Sequence, residues 1–443
     1  MSRKPRFVLR ALGIEQILRL SACALACSAD WAVSELLSGL GRRQRRAGLQ
    51  PRVLARAVAT LGALKGAFAK AGQFAAIRFD VLPPPVTRAL GALHDRVVPL
   101  PLSQLRGMIE DELGAPLESL FSEFDAEPIG AASVAQVHRA RLANGEDVAV
   151  KVQYPWLTAS LPADLALMRG LLAFWTRRSD GRRGDRRRFF EEFASSLREE
   201  LDFEREARVA EEIAANLADD PQIAVPRVFP SHSTRRVLTM SYHSAVRITD
   251  ARALARIGAS PREVLEVVAR AYAKQVFADG LFHADPHPGN LFVLDEPGAR
   301  KPRVLFVDFG LSRRLEPALR RELRLGIHAL LQQDLEAFIA GMDRMGMIAP
   351  GARPAVRRAV SDMLERIRAR GGPLAMGGSQ VLSLKDQAKS LLQHTEGLQL
   401  PNDLLLYAKT LAYVFALGAE LDPKVDVIQL SLPHLLRFLG ERD

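Results

Sequence analysis

Apolar residues recur every three or four positions along much of the chain, and this spacing predicts amphipathic helices. From Gly13 to about Phe124 the pattern predicts three or four helices. It returns from about Leu161 to Trp175 and from Phe189 to Leu217. A longer helix is predicted from Pro261 to Asp279, with Gly280 as the residue that ends it.

Short β-like runs interrupt this helical pattern. One run begins near Glu127 and reaches Leu142, and Asp147–Val152 follows after the turn Asn144-Gly145, which together predict a β-hairpin. Further strands are predicted at 236–242, 291–294 and 304–307, and the rest of the chain is predicted to be helical. Many helices combined with a small sheet favour the α+β class.

Composition indicates a folded protein that can bury a large core, because the 443 residues are 48% hydrophobic and 25% charged. Lysine and arginine exceed aspartate and glutamate by 61 − 51 = 10, which favours an anionic partner such as a phosphate or a lipid head group. Nucleic acid is not expected as a partner, because aromatics make up only 6% and none lies among the clustered arginines. The arginine-rich stretch 177–188 is predicted to be a flexible, solvated connector, with docking to an anionic membrane as the alternative.

We expect a cytoplasmic protein, with peripheral attachment to a membrane as an option. Cys23 and Cys27 are spaced to share a helical face, which suits neither a disulfide framework nor a four-ligand zinc site. Neither a signal peptide nor a transmembrane helix is expected, and the apolar run Leu404–Gly418 contains Lys409 and is too short to span. Residues 14–37 are predicted to form an amphipathic helix that either packs internally or lies on a membrane or another subunit.

Four side chains, in order along the chain, match the needs of phosphoryl transfer. That reaction requires a cation at the nucleotide phosphates, oxygen ligands for magnesium and a carboxylate near the acceptor. Lys151 ends a Val-Ala-Val-Lys run, and Asp285 and Asn290 are 290 − 285 = 5 positions apart, as in a kinase catalytic loop. Asp308 follows a β-like run and precedes Phe-Gly. Each piece alone is common in strands and turns, but all four in this order indicate a magnesium-nucleotide site.

These residues resemble the UbiB/AarF/ADCK family of atypical kinase-like proteins. Lys70–Gln73 is similar to the family's Lys-x-Gly-Gln signature, and Ala131–His138 is similar to its alanine-rich nucleotide loop. Glu200–Ala207 looks like its Glu-x-Asp helix, and His283–Asn290 is nearly identical to its catalytic loop. The resemblance extends from about residue 61 to residue 311.

The resemblance implies a two-lobed, protein-kinase-like fold with ATP and magnesium bound between the lobes. A small β-containing N-lobe and a mostly helical C-lobe would follow an N-terminal helical extension that carries the Lys-x-Gly-Gln motif. The corresponding segments are 1–60 (basic and helical), 61–124 (extension), 125–245 (N-lobe) and 246–443 (C-lobe).

The resemblance also implies roles for individual residues. Asp285 and Lys151 would be catalytic, and Asn290 and Asp308 would bind magnesium. The residues implied to bind the nucleotide are Gly130, Ala131, Ala132, Ser133, Val134, Lys151 and Glu206. Lys151 would pair with Glu206, with Glu200 as the other candidate. The residues implied to cover the site, where a protein substrate would otherwise lie, are Lys70, Gln73, Glu200 and Asp202.

The implied activity is ATP hydrolysis or phosphoryl transfer, with ATP or ADP and Mg²⁺ as cofactors, in support of ubiquinone or other isoprenoid-lipid biosynthesis. The implied partners are a nucleotide, an anionic membrane or a quinone-precursor lipid, and biosynthetic proteins. A small-molecule phosphotransferase of the aminoglycoside or choline kinase type is one alternative, and a nucleotide- and lipid-binding pseudokinase scaffold is another. A zinc site built from His283, Asp285 and His287 is a third.

Overall fold

The computed structural model describes residues 67, 70, 71, 99–176, 183–296, 298–369, 391, 395 and 397–441. The chain forms two compact units. The first comprises the residues up to Asp202 together with Pro230–Thr239, and the second comprises Phe203–Phe229 and the chain from Met240 onward. The predictions for 1–60, for the two cysteines and for Gln73 fall outside the described residues, and the four segment bounds stay predictions.

Strands and helices are numbered separately in chain order. The described strands are β1 (Phe121–Phe124), β2 (Gly130–Ala131), β3 (Ala135–Leu142), β4 (Asp147–Gln153), β5 (Ile223–Ala224), β6 (Val237–Ser241), β7 (Ala245–Arg247), β8 (Leu281–Phe282), β9 (Leu291–Leu294), β10 (Val304–Phe306) and β11 (Arg313–Arg314). The described helices are α1 (Leu102–Leu113), α2 (Leu117–Leu120), α3 (Leu157–Thr176), α4 (Arg183–Glu200), α5 (Phe203–Asn216), α6 (Ala251–Arg256), α7 (Pro261–Ala273), α8 (Pro317–Gln332), α9 (Leu335–Arg344), α10 (Arg353–Ala369), α11 (Asn402–Leu421) and α12 (Val427–Gly440). A π-helix covers Lys274–Asp279.

An antiparallel sheet has the strand order β1-β3-β4-β6, with β2 on β3. Strands β1 to β4 belong to the first unit, and β6 begins there. The hairpin β3–β4 confirms the strands predicted around Asn144-Gly145. Gly145 has φ +85°, a left-handed conformation that favours glycine, and its N–H donates to Leu142. The prediction of helix up to Phe124 was wrong at its end, because Phe121–Phe124 pairs with β3 as β1.

Two helical predictions need correction in their details. The pattern predicted from Phe189 to Leu217 is divided, because α4 ends at Glu200 and α5 begins at Phe203. The stretch predicted as a connector at 177–188 is helical from Arg183 onward, so the glycine and aspartate at 184 and 185 do not interrupt α4. Helix ends are fixed by tertiary packing as well as by local composition, which explains both differences.

The second unit contains a sheet with the order β5-β10-β9-β7 and a two-stranded ladder of β8 and β11. The strands predicted near 291–294 and 304–307 are confirmed as β9 and β10, which pair antiparallel. Their inward side chains, including Val293 and Phe306, are fully buried. The pair β8–β11 was not predicted, because each strand has only two residues.

The helix predicted from Pro261 to Asp279 is present as α7 but changes to the π-helix at Lys274. Gly280 ends it with φ +67°, as predicted for a left-handed cap. The π-helix was not predicted, and such segments occur often beside functional sites. Here it leads directly into β8 and the candidate catalytic loop that begins at His283.

The apolar run Leu404–Gly418, predicted to be too short to span a membrane, is part of the longer helix α11. Asn402–Leu421 contains 20 residues and is long and apolar enough to cross a bilayer, judged by length and composition only. Its side chains Leu406 and Tyr407 are buried in a cluster with Phe277 and Phe282. Part of α11 therefore packs against the core of this unit.

Candidate functional site

In the first unit, the loop implied to bind phosphates is fixed against β3. The backbone N–H of Ala132 donates to Ala135 at 2.8 Å, and Gly130 and Ala131 pair with β3. Residues 130–132 are exposed, whereas Ser133 and Val134 are only 4% and 3% exposed. The part of this loop with the most open surface is therefore 130–132.

Two buried polar side chains anchor the same loop. The hydroxyl of Tyr154 donates to the carbonyl of Ala132 at 3.0 Å, and burial raises the pKa of this phenol to about 12, which keeps it protonated. Gln136 is fully buried and forms two hydrogen bonds with the backbone of Leu100, at 2.8 and 2.9 Å. These contacts favour a stiff loop.

Lys151 lies on β4 opposite Val137, and it is 9% exposed. Burial of an ammonium group is costly unless polar or anionic groups surround it. A buried lysine of this kind is suited to binding a phosphate group. Glu206 lies on α5 in the second unit and is 1% exposed. The pairing of Lys151 with Glu206 stays a prediction.

The structure brings together two of the four residues implied to cover the site. Lys70 Nζ lies 2.5 Å from Glu200 Oε1, and both side chains are 14% exposed. Asp202 is half-buried in the short connection between α4 and α5. The fourth residue, Gln73, is outside the described part of the chain.

In the second unit, His283 holds the candidate catalytic loop in place. It is fully buried, and its backbone N–H donates to Gln275 Oε1 on the π-helix at 2.9 Å. Its Nδ1 lies 3.1 Å from the Tyr272 hydroxyl, and its Nε2 lies 3.0 Å from the carbonyl oxygen of Val307. Because a carbonyl only accepts, Nε2 carries the proton and Nδ1 accepts from the tyrosine. Burial raises the pKa of Tyr272 well above its usual value, so the hydroxyl stays a donor.

Asp285 and Asn290 contact each other. The Nδ2 of Asn290 donates to Asp285 Oδ2 at 3.0 Å and to the backbone oxygen of Asp285 at 3.2 Å. The loop between them is closed by the N–H of His287, which donates to the Asp285 carbonyl at 2.7 Å. Asp285 and Asn290 are both half-buried.

Asp308 is joined to this loop through the residue before it. The N–H of Val307 donates to the carbonyl of Asn290 at 3.0 Å, so Asp308 follows directly after a backbone contact with the loop. Asp308 is exposed and has φ +63°, which is rare for a residue other than glycine and costs on the order of 1 kcal/mol. Backbone strain of this kind is concentrated at functional sites.

Sequence reasoning missed two basic residues near these side chains. Arg205, on α5, donates to the carbonyl oxygens of Gly310 and Ser312 at 3.3 and 3.0 Å. Lys409, on α11, donates to Asp285 Oδ1 at 3.0 Å. The sequence around Lys409 shows only a charged residue within an apolar run. We interpreted this charge as an interruption of the run and not as a sign of a functional role.

The zinc alternative is not supported by the described residues. They contain no group of three or more His, Cys, Asp or Glu side chains placed to hold a metal ion. Both ring nitrogens of His283 already face Tyr272 and Val307, so this histidine shapes the loop.

Comparison with known proteins finds relatives that match most of the chain. Residues 92–341 match the family model described as the ABC1 atypical kinase-like domain. The chain is 31% identical over 404 residues to Protein ACTIVITY OF BC1 COMPLEX KINASE 8, chloroplastic, of Arabidopsis thaliana, covering 85% of this chain and 53% of that protein. It is 33% identical over 386 residues to the probable protein kinase UbiB of Marinobacter nauticus, covering 85% of this chain and 68% of that protein. The chain thus spans about half to two thirds of the length of these relatives.

A solved structure extends the likeness to the fold. The complex of Rv3197 with erythromycin, from Mycobacterium tuberculosis, has a TM-score of 0.54 and 24% sequence identity, and the match covers 94% of this chain and 100% of that chain. At this identity the likeness concerns the fold alone, and it agrees with the kinase-like fold implied by the sequence.

Proposed function

Because this chain belongs to the ABC1 atypical kinase-like family, we propose that it binds ATP with Mg²⁺ and catalyses ATP hydrolysis or phosphoryl transfer. The observation that carries the proposal is a set of contacts in the second unit that joins Asn290 to Asp285 and to the residue before Asp308. Asn290 contacts the Asp285 carboxylate through its side chain and Val307 through its backbone carbonyl. These contacts support a shared site for Asp285, Asn290 and Asp308, as metal-dependent phosphoryl transfer requires.

The donor atoms in this region fit magnesium. Mg²⁺ prefers oxygen ligands, and a carboxylate and an amide oxygen are suitable ones. The Nδ2 of Asn290 is committed to Asp285, so the opposite atom of the amide, Oδ1, is the one that faces away from that carboxylate. Asn290 and Asp308 would hold the ion, and the ion would neutralise the charge of the nucleotide phosphates.

Asp285 is the side chain proposed to act on the nucleophile. Its Oδ2 accepts from Asn290 and its Oδ1 accepts from Lys409, so the plane of the carboxylate is fixed on both sides. A fixed carboxylate can orient a water molecule or an acceptor hydroxyl and receive its proton. Attack by water gives ADP and phosphate, and attack by an acceptor hydroxyl gives ADP and a phosphorylated acceptor.

The first unit contributes the remaining proposed roles. Lys151 would bind the nucleotide phosphates as a compact positive charge, and the backbone of residues 130–132 would contact them. An added Cβ at Gly130 would meet nothing within 4 Å, so the fold tolerates Gly130→Ala. Any loss of nucleotide binding in this variant would therefore come from contact between the new methyl group and the nucleotide. Lys70 and Glu200 would hold the covering helical element.

We propose a role in ubiquinone or other isoprenoid-lipid biosynthesis on the strength of the family. The excess of ten basic residues over acidic ones favours contact with an anionic surface or an anionic ligand. A quinone-precursor lipid, an anionic membrane and a biosynthetic protein are the proposed partners.

The test is steady-state ATP turnover by the full chain, with and without Mg²⁺, anionic liposomes and a phenolic quinone-precursor mimic. We expect magnesium-dependent turnover that falls at least roughly 10-fold in Asp308→Asn, because a carboxylate charge on the metal is lost. Asp219→Asn is the matched control, since Asp219 is an exposed carboxylate of the same unit, and it should behave as wild type.

A wild-type protein that neither binds nor turns over ATP would contradict the proposal. Turnover that does not depend on Mg²⁺ would contradict the roles of Asn290 and Asp308. Nucleotide binding without turnover under any of these conditions would favour the pseudokinase scaffold.

A further inference from the structure

Lys409 is a charged residue on a mostly apolar helix. It lies on α11, which includes the buried residues Leu405, Leu406 and Thr410, and its own side chain is only 13% exposed. Transfer of an ammonium group out of water is costly unless the charge is paired. Its Nζ donates to Asp285 Oδ1 at 3.0 Å, across 124 positions of sequence.

The ion pair fixes the side chain that the proposed reaction depends on. Asn290 holds Oδ2 of Asp285 and Lys409 holds Oδ1, so each oxygen of the carboxylate has a donor from a different element. Lys409 Nζ also lies 5.4 Å from the ring centre of Tyr413, one turn further along α11, and this cation–π contact stabilises its charge. The orientation of the carboxylate is thus set by two independent groups.

The catalytic loop does not supply this charge from its own sequence. Residues 285–290 read Asp-Pro-His-Pro-Gly-Asn and contain neither lysine nor arginine. Lys409 lies outside residues 92–341, the part of the chain that matches the family model. A helix near the C-terminus therefore provides a positive charge beside Asp285.

Attachment of α11 does not depend on this ion pair. Tyr407 packs edge-on against Phe282, with ring centres 5.9 Å apart, and Leu406 lies in the same cluster. Phe282 immediately precedes His283, so apolar contacts already hold α11 beside the loop. A buried ion pair is by itself weak evidence of a stabilising role, so the structural contribution of Lys409 must be measured separately from its effect on the reaction.

We propose that Lys409 is a positioning residue that orients the Asp285 carboxylate and balances its charge during phosphoryl transfer. The proposal rests on the proposed function of the site and adds to it a residue from outside the matched domain. Loss of the lysine should slow the chemical step and leave nucleotide binding nearly intact, because misplacing a reacting group by about 1 Å can cost about 100-fold in rate.

The experiment measures kcat and KM for ATP in the full chain for wild type, Lys409→Met, Lys409→Gln and Lys409→Arg. Lys424→Met is the matched control, because Lys424 is an exposed lysine just beyond α11. We expect kcat to fall about 100-fold in the two neutral variants, with KM within about twofold of wild type. Lys409→Arg keeps the charge and should recover part of kcat, and Lys424→Met should match wild type.

A second measurement separates positioning from structure. If Lys409 acts through Asp285, Lys409→Met should lower kcat no further in an Asp285→Asn background, whereas independent effects would multiply. A kcat within about threefold of wild type in the neutral variants would overturn the proposal, as would multiplicative losses. Loss of the folded state in both neutral variants, seen by circular dichroism, would mark a structural contact and would also overturn it. A wild type without ATP turnover would instead overturn the proposed function, and with it this role.

Discussion

Arg205 donates a hydrogen bond of 3.0 Å to the carbonyl oxygen of Ser312, four residues after Asp308. A second hydrogen bond, of 3.3 Å, reaches the carbonyl of Gly310. Arg205 lies on α5 next to Glu206, so this helix holds the segment that follows the proposed magnesium ligand. The position of Asp308 therefore depends on α5 as well as on the loop at Asn290.

Replacement of Arg205 tests this dependence. Arg205→Met should weaken magnesium-dependent ATP binding roughly 10-fold, because hydrogen bonds from a charged donor contribute about 1.5–3 kcal/mol and their loss releases the segment after Asp308. Isothermal titration calorimetry measures the change. Arg208→Met, an exposed arginine on the same helix, is the control and should bind like wild type. Equal affinity of both variants would show that Arg205 does not support the site.

The ion pair of Lys70 with Glu200 should contribute to stability. Lys70→Met leaves the Glu200 carboxylate, which is 14% exposed, without this cation. We expect the free energy of unfolding to fall by about 2 kcal/mol. Breaking a fully buried pair costs more, about 3–5 kcal/mol. The double variant Lys70→Met/Glu200→Gln should regain part of the loss. Chemical denaturation provides the values, and additive losses in the double variant would contradict a direct pairing.

The left-handed backbone of Asp308 predicts which of two variants that lack the carboxylate is the more stable. Asp308→Gly should be more stable than Asp308→Ala by about 1 kcal/mol, because φ +63° suits glycine and strains alanine. Both should lose magnesium-dependent nucleotide binding. Thermal unfolding without ligand isolates the backbone effect, and identical stabilities would argue against the strained conformation.

Buried His138 should make the stability of the protein depend on pH. Burial lowers its pKa below the usual 6.5, although the carbonyl of Asp125 partly opposes this effect. The neutral ring fits its surroundings, since Nδ1 can donate to Asp125 and Nε2 can accept from Gln136. Below pH 6.5 the unfolded chain binds a proton at His138 that the folded protein does not bind. The contribution of His138 to the free energy of unfolding is therefore fully present above pH 6.5 and is lost as the pH falls toward the lowered pKa.

The measurement is the free energy of unfolding between pH 7.5 and pH 5 for wild type and His138→Gln. Below pH 6.5 the wild-type slope should exceed that of the variant by up to about 1.4 kcal/mol per pH unit. His243 and His434, whose pKa values are also lowered mainly by burial, remain in both proteins and do not affect the difference. Parallel curves would contradict the assignment to His138.

Local patterns predicted the parts of the fold whose causes are local. The turn at Asn144-Gly145 specified its hairpin because glycine adopts the required left-handed conformation. The spacing of Asp285 and Asn290 indicated a kinase-like catalytic loop, and in the structure a loop of six residues, closed by its own backbone, brings the two side chains into contact. Gly280 likewise marked the end of its helix correctly.

Features that depend on distant residues were not predictable in this way. Lys409 reaches Asp285 across 124 positions, and nothing near Lys409 in the sequence indicates the carboxylate. The π-helix at 274–279 places Gln275 beneath His283, a contact set by tertiary packing and not by helix propensity. β1 was mistaken for helix because its four residues pair with β3, which lies beyond it in the chain.

In the proposed function, Asn290 and Asp308 hold the magnesium ion of a bound nucleotide beside Asp285. The decisive measurement is a crystal structure of the full chain with Mg²⁺ and a non-hydrolysable ATP analogue. We expect Mg²⁺ at about 2.0–2.1 Å from Asn290 Oδ1 and an Asp308 carboxylate oxygen, with the nucleotide phosphates on the same ion. A nucleotide whose metal ion contacts neither residue would contradict it.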